Sequence, residues 1–170
     1  YLSNPNNPIG FCFSFTEIEY LVKNNPLTMF FLDEAYYEFS GDTVISLVKK
    51  YDNIIIFRTF SKAFGLAGLR LGYIISNFEN INLINKVRNG KEVSSLAQIG
   101  GVAAILNYSH YLNRVKDLID VREWFYNEIK ILDKYQVFES SSNFLLVKHS
   151  ESKQIIKHLY KNKILVRDRS

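Results

Sequence analysis

Met29-Phe30-Phe31-Leu32 runs directly into Asp33-Glu34-Ala35-Tyr36, and Ile54-Ile55-Ile56-Phe57 runs directly into Arg58-Thr59-Phe60-Ser61-Lys62. Four apolar residues in a row, without alternation, mark a strand buried on both faces, the usual condition of a parallel sheet. Residues 71–75 form a shorter apolar run, and Tyr1-Leu2-Ser3 reads as the tail of a strand entering the turn Asn4-Pro5-Asn6-Asn7-Pro8-Ile9-Gly10. Between them, Ser14 or Thr16 can cap a helix reaching about Asn24, with Glu17 and Glu19 in its first turns favoured by the helix dipole. Strands that alternate with helices predict a layered α/β fold.

Glycine and proline divide the rest. All 3 prolines precede Leu27 and none of the 8 glycines follows Gly101, so the last third suits long helices and unbroken strands. There Leu112, Val115, Leu118, Ile119, Trp124, Phe125, Ile129 and Leu132 recur at helical spacing, which reads as packing along one long helix. Phe144-Leu145-Leu146-Val147, a helix near 152–160 and Ile164-Leu165-Val166 follow as a second, smaller α/β unit. The boundary is placed near 107–112, giving units 1–107 and 108–170.

The 170 residues are 47% hydrophobic and 22% charged, a balance that excludes a disordered chain. A net charge of +4 comes from scattered lysines and arginines rather than a basic block, which argues against a nucleic-acid or membrane partner. No apolar run approaches membrane-spanning length. Cys12 is the one cysteine, so no internal disulfide or cysteine metal cluster can form, and a reducing, cytoplasmic setting is expected. It reads as a small packing residue. His110, His149 and His158 lack ligand spacing. Tyr1 is not an initiator, and the chain reads as a piece of a longer one.

Chemistry concentrates where the apolar runs stop. Ligands of parallel α/β sheets bind outside the carboxyl ends of the strands, and Asn7, Asp33 and Lys62 all stand there. Asp33 could be a structural ion pair and Lys62 a surface lysine. Thr59 and Ser61, with Gly65, Gly68 and Arg70, make a hydroxyl- and glycine-rich loop suited to a phosphate dianion or to a helix cap. A lysine, an acid and a phosphate cradle in one crevice are what pyridoxal phosphate requires.

The turn at 4–10, the stretch Phe31-Leu32-Asp33-Glu34-Ala35-Tyr36-Tyr37-Glu38-Phe39-Ser40-Gly41 and the stretch from Arg58 through Lys62 and Arg70 to Tyr73 resemble the signature blocks of fold type I pyridoxal-phosphate aminotransferases. The histidinol-phosphate branch is nearest, with Val93-Ser94-Ser95-Leu96-Ala97-Gln98 and Leu165-Val166-Arg167-Asp168 included in the likeness. The resemblance implies a three-layer sandwich with a mostly parallel central sheet, plus part of a smaller C-terminal α/β domain. It implies that Lys62 carries the cofactor and moves the Cα proton, while Asp33 holds the pyridine nitrogen. Tyr36 and Asn7 would serve the ring's phenolic oxygen, and Thr59, Ser61 and Arg70 the phosphate. Arg167 would face the substrate's anionic end, although an ion pair among Arg167, Asp168 and Arg169 explains that trio as well. Expected partners are a small phosphorylated amine, histidinol phosphate above others, with 2-oxoglutarate, in a homodimer. A phosphorylated amino-acid decarboxylase shares these cofactor residues, and Asn89-Gly90-Lys91-Glu92 departs from the histidinol-phosphate pattern, so both chemistries stay open.

Overall fold

A computed structural model describes residues 1–90 and 93–169. Its larger sheet has the order β1 (Leu2–Ser3), β2 (Phe30–Asp33), β3 (Ile54–Thr59), β4 (Gly72–Ile75). The first three strands run parallel, and β4 joins β3 antiparallel. In that register Phe30 faces Ile54 and Leu32 faces Ile56, which puts their side chains on one side of the sheet. Helix α1 (Phe15–Asn24) covers that side with Ile18 and Val22, one turn apart, and a 3₁₀ turn at Ile45–Lys49 adds Leu47. Each such side chain, fully withdrawn from water, contributes about 1.5–3 kcal/mol. Of the two candidate caps for α1, Ser14 is the one used. Its side chain receives the Glu17 amide while the Glu17 carboxylate receives the Ser14 amide, a reciprocal capping box. The Ser14 hydroxyl also donates to Glu17 Oε2 at 2.6 Å, and this bond first, then that of the Ser14 amide, holds the Glu17 carboxyl below its usual pKa range.

Burial of residues 29–32 on both faces does not hold. Phe31 points to the side opposite α1, touches Phe57 at 5.9 Å between ring centroids and remains exposed, as does Met29 ahead of the strand. An apolar run gives composition for both faces of a strand but not the neighbour that covers each, and no described element closes over Phe31.

Beyond the sheet come α2, a single turn at Tyr37–Ser40, then α3 (Phe78–Val87), α4 (Ser95–Leu106) and α5 (Tyr108–Lys130). Asn77 and Ser94 cap α3 and α4. Helix α4 lies close on the strand-end loops because Gly101 has no Cβ; one built there would stand 2.6 Å from Leu71 Cδ2. Asn107 separates α4 from α5, at the edge of the expected boundary. The long helix forms, but its expected packing is only partly realised. Val115 and Ile129 are buried, whereas Leu112, Leu118, Trp124, Phe125 and Leu132 are exposed. Its apolar stripe is wider than the surface of the described chain that reaches it. The last unit also forms in part. A hairpin pairs β5 (Gln136–Val137) with β6 (Val147–Lys148), and α6 (Ser152–Lys161) follows. Residues 164–166 are not a strand, since no described strand lies alongside to take their backbone bonds.

This last unit meets the sheet's loops at several described residues. Phe144 packs with Tyr36, Phe39, Val115 and Ile119. The Ser141 amide donates to the Gly10 carbonyl at 2.8 Å. Gly10 has φ +86°, and a Cβ there would lie 2.0 Å from Ser140 Oγ, so only glycine fits.

Candidate active site

Strands β2 and β3 end side by side, Asp33 opposite Phe57, so the loops that leave the two strands meet above the sheet. Two adjoining cavities open there. One of ≈ 410 Å³ is lined by Asn7, Asp33, Tyr36 and Lys62 among others. Its neighbour of ≈ 360 Å³ is lined by Asp33, Thr59, Ser61, Lys62 and Arg70. Asp33 and Lys62 belong to both. Among the sequence candidates only Arg167 lines neither.

Asp33 is held by donors on both oxygens: the Ala35 amide at 3.0 Å to Oδ1 and the Tyr1 hydroxyl to Oδ2. Burial, then that bond to Asp33, pushes the Tyr1 hydroxyl up to about 12. Tyr36 is buried. Its ring meets Phe144 edge-on at 5.4 Å, and its hydroxyl accepts from Asn7 Nδ2 at 3.1 Å. Lys62 Nζ stands 5.2 Å from the Tyr36 ring centroid, and the residue is exposed. Both cis peptides of the segment, Asn4–Pro5 and Asn7–Pro8, flank the loop that presents Asn7.

The second cavity is shaped by a tight turn. Thr59 Oγ1 donates to the Leu71 carbonyl at 3.3 Å and accepts from the Ser61 amide at 3.1 Å, so this hydroxyl builds the turn that carries Ser61 and Lys62. Arg70 closes the turn in the left-handed region, φ 52° and ψ 43°, with Nη1 donating to the Ala67 carbonyl at 3.3 Å. A residue with a Cβ spends about 1–2 kcal/mol to sit there. Of the C-terminal basic residues, Arg167 is exposed, and it is Arg169 that reaches the site, Nη2 donating to Asn7 Oδ1 at 3.1 Å.

Arg58 also lines the second cavity, and with it stands a group of residues to which the sequence pattern alone assigns no role. Glu34, 1% exposed, accepts from Arg58 Nε at 3.0 Å and Nη2 at 2.8 Å, from the Val44 amide and from the Thr43 hydroxyl. Burial works against the Arg58 charge, and the hydrogen bonds and charge of Glu34 together with Tyr73 and Tyr37 outweigh it, so the guanidinium pKa is raised. Tyr37 lies flat on that guanidinium, 3.6 Å from ring centroid to Cζ, and its hydroxyl pairs with Tyr108 on α5 at 3.2 Å. A signal exists in the chain: Glu34 follows Asp33 and Arg58 precedes Thr59, opposite charges at the ends of two adjacent strands.

Glu38 stands beside this pair. Burial pushes its carboxyl up to about 7, against the pull of its own backbone hydrogen bond and of the Arg58 charge. Its folded pKa exceeds the unfolded value of 4.5, so its contribution is fully present below pH 4.5 and is lost as pH rises through about 7. Stability is therefore expected to fall by about 1–2 kcal/mol between pH 5 and 8, after allowance for partial exposure. Urea midpoints across that range measure it. Glu38→Gln should flatten the slope, and an unchanged slope in that variant would rule Glu38 out.

Cys12 is half-buried, and burial raises its thiol to about 11, as suits a packing residue. Among the described residues no group of three His, Cys, Asp or Glu could hold a metal, and no helix is long and apolar enough to cross a membrane. In the departing loop, Lys91 and Glu92 lie outside the described residues.

The family model for aminotransferase class I and II matches residues 1–170. A dihydroxyacetone phosphate transaminase of Campylobacter jejuni is 42% identical over 173 residues, covering 100% of this chain and 47% of that protein. A histidinol-phosphate aminotransferase of Ruminiclostridium cellulolyticum is 40% identical over 168 residues, covering 98% and 47%. Among solved structures, the L-threonine-O-3-phosphate decarboxylase of Porphyromonas gingivalis superimposes with a TM-score of 0.88 at 27% identity, over 99% of this chain and 53% of that one. The histidinol-phosphate aminotransferase of Sinorhizobium meliloti, solved with pyridoxal 5'-phosphate, gives the same TM-score and identity, over 98% and 48%. The chain spans about half the length of the curated relatives it matches. Matched along its whole length, with the mostly parallel sheet of the fold type I enzymes, the chain belongs to the class I and II aminotransferases, a pyridoxal-phosphate-dependent family.

Proposed function

We propose that the full-length protein is an aminotransferase that moves an amino group between a small phosphorylated amine, histidinol phosphate favoured, and 2-oxoglutarate. The observation that carries this reading is the sharing of both cavities by Asp33 and Lys62, a carboxylate and an amine from adjacent strand ends. The donor set fits pyridoxal phosphate: an anion held by two donors at one place, an open lysine, and a hydroxyl-and-arginine turn at another. When bound, that group supplies an aldehyde for condensation with amines and a ring that accepts the electron pair left by a departing Cα proton.

The chain's residues divide the remaining work. Lys62 would hold the group covalently through Nζ when it is bound, and the same nitrogen would move the substrate's Cα proton. Asp33, fixed by Ala35 and Tyr1, keeps a proton on the pyridine nitrogen. Tyr36 and Asn7 attend the phenolic oxygen. Thr59 sets the turn from which Ser61 and Arg70 grip the phosphate. Arg167 is kept as the cation for the substrate's anionic end. In this reading 1–107 belongs to the cofactor domain and 108–170 to the smaller one, and the enzyme is a cytoplasmic homodimer, for which the exposed apolar faces of α4 and α5 offer surface.

Mixing the purified full-length enzyme with histidinol phosphate, and separately with glutamate, tests the reading. Each amine should remove the visible absorbance of the lysine-bound cofactor, and 2-oxoglutarate should restore it. A spectrum indifferent to both amines defeats the assignment. The second reading, a decarboxylase of a phosphorylated amino acid, is favoured by the equal likeness to the Porphyromonas gingivalis enzyme. Release of carbon dioxide from threonine phosphate with no oxo acid present decides for it.

A further inference from the structure

We infer that Arg169 is a positioning residue for the cavity, one that sets the direction of the Tyr36 hydroxyl proton by fixing the Asn7 amide. The inference rests on the cofactor reading above. An arginine can only donate. With Arg169 Nη2 on Asn7 Oδ1 at 3.1 Å, the other end of the amide faces Tyr36, and Nδ2 donates to the phenolic oxygen at 3.1 Å. Tyr36 is therefore the acceptor in that bond. Its single proton cannot return to Asn7, and it is left for the cavity that Asn7, Tyr36 and Lys62 line together.

Without Arg169 the amide can turn over. Oδ1 then faces the phenol, takes its proton, and the cavity loses a donor. A charge-assisted bond is about twice as strong as a neutral one, so the guanidinium decides between the two orientations. It does not decide where the ring sits. The Tyr36 ring is buried and backed by Phe144, and the Lys62 ammonium stands 5.2 Å from the ring centroid. Arg169 controls the proton and the packing controls the ring, so the two can be separated by experiment. The residue of that segment with chemistry to do at this end of the site is thus two positions beyond Arg167.

The test uses the full-length enzyme and pyridoxal phosphate itself. A donor onto the cofactor's phenolic oxygen lowers that oxygen's basicity. Its loss should raise the pH at which the visible absorbance of the lysine-bound cofactor titrates. Arg169→Ala is expected to move that midpoint up by about half a unit to one unit, and to weaken binding of added pyridoxal phosphate by the apoenzyme about 3- to 10-fold. Arg169→Lys, which keeps a donor, should recover part of both. In an Asn7→Ala background, Arg169→Ala should do nothing further. A wild-type midpoint in Arg169→Ala, or a shift that persists without Asn7, overturns the inference alone. A wild-type enzyme with no lysine-bound absorbance overturns the cofactor reading and this inference with it.

Discussion

Lys62→Ala in the full-length enzyme is expected to lower turnover by at least about 10³-fold while leaving the folded state almost untouched. The two effects separate because the side chain's work and its contacts are unequal. A positioned general base contributes about 10²- to 10⁴-fold, and in the proposed reading the same nitrogen is also the covalent anchor. Against that, Lys62 is exposed, and its described contact is with the Tyr36 ring at 5.2 Å, which at an open site stabilises by about 0.5–1 kcal/mol. Steady-state rates and thermal melts, taken side by side, check both halves. A variant with a comparable rate would mean that the reacting amine lies elsewhere.

Glu34→Ala, by contrast, should act through the fold, with a loss of stability of about 3–5 kcal/mol. Removing this carboxylate strands the Arg58 guanidinium, which is only 9% exposed, and leaves the Val44 amide and the Thr43 hydroxyl without their common acceptor. The cost is that of an uncompensated buried charge rather than the worth of the ion pair. Replacing both partners, as in Glu34→Leu with Arg58→Met, should therefore destabilise less than Glu34→Ala alone. Urea unfolding of the three proteins decides. If Glu34→Ala fell within about 1 kcal/mol of wild type, the ordinary range for a point substitution, the network would have to be better hydrated than its burial implies. Activity should fall with stability here, because Glu34 adjoins Asp33 and Arg58 adjoins Thr59 along the chain.

How much of the molecule is legible in its sequence depends on the range of each interaction. The strands at β2, β3 and β4 and the cap of α1 depend on residues within a few positions of one another, and local pattern reveals them. That Asp33 and Lys62 come together at one pair of cavities is legible because strand ends are where such a sheet opens its crevice. The Glu34–Arg58 pair is legible in principle, given the register that sets Asp33 opposite Phe57. Arg169 on Asn7 joins residues 162 positions apart, and no periodicity carries that. The exposure of Phe31, Trp124 and Phe125 escapes the pattern for a related reason: apolar character states a preference for cover without saying whether a neighbour supplies it.

The left-handed backbone of Arg70 has a consequence for how this sequence would drift under laboratory selection. Glycine suits that twist better than any side chain, so a library ranked by heat tolerance alone should accumulate Arg70→Gly, gaining about 1 kcal/mol while emptying the turn of its guanidinium. Under the proposed phosphate role of Arg70, screening for turnover instead would purge the same change. One codon thus reports which pressure a population has been under.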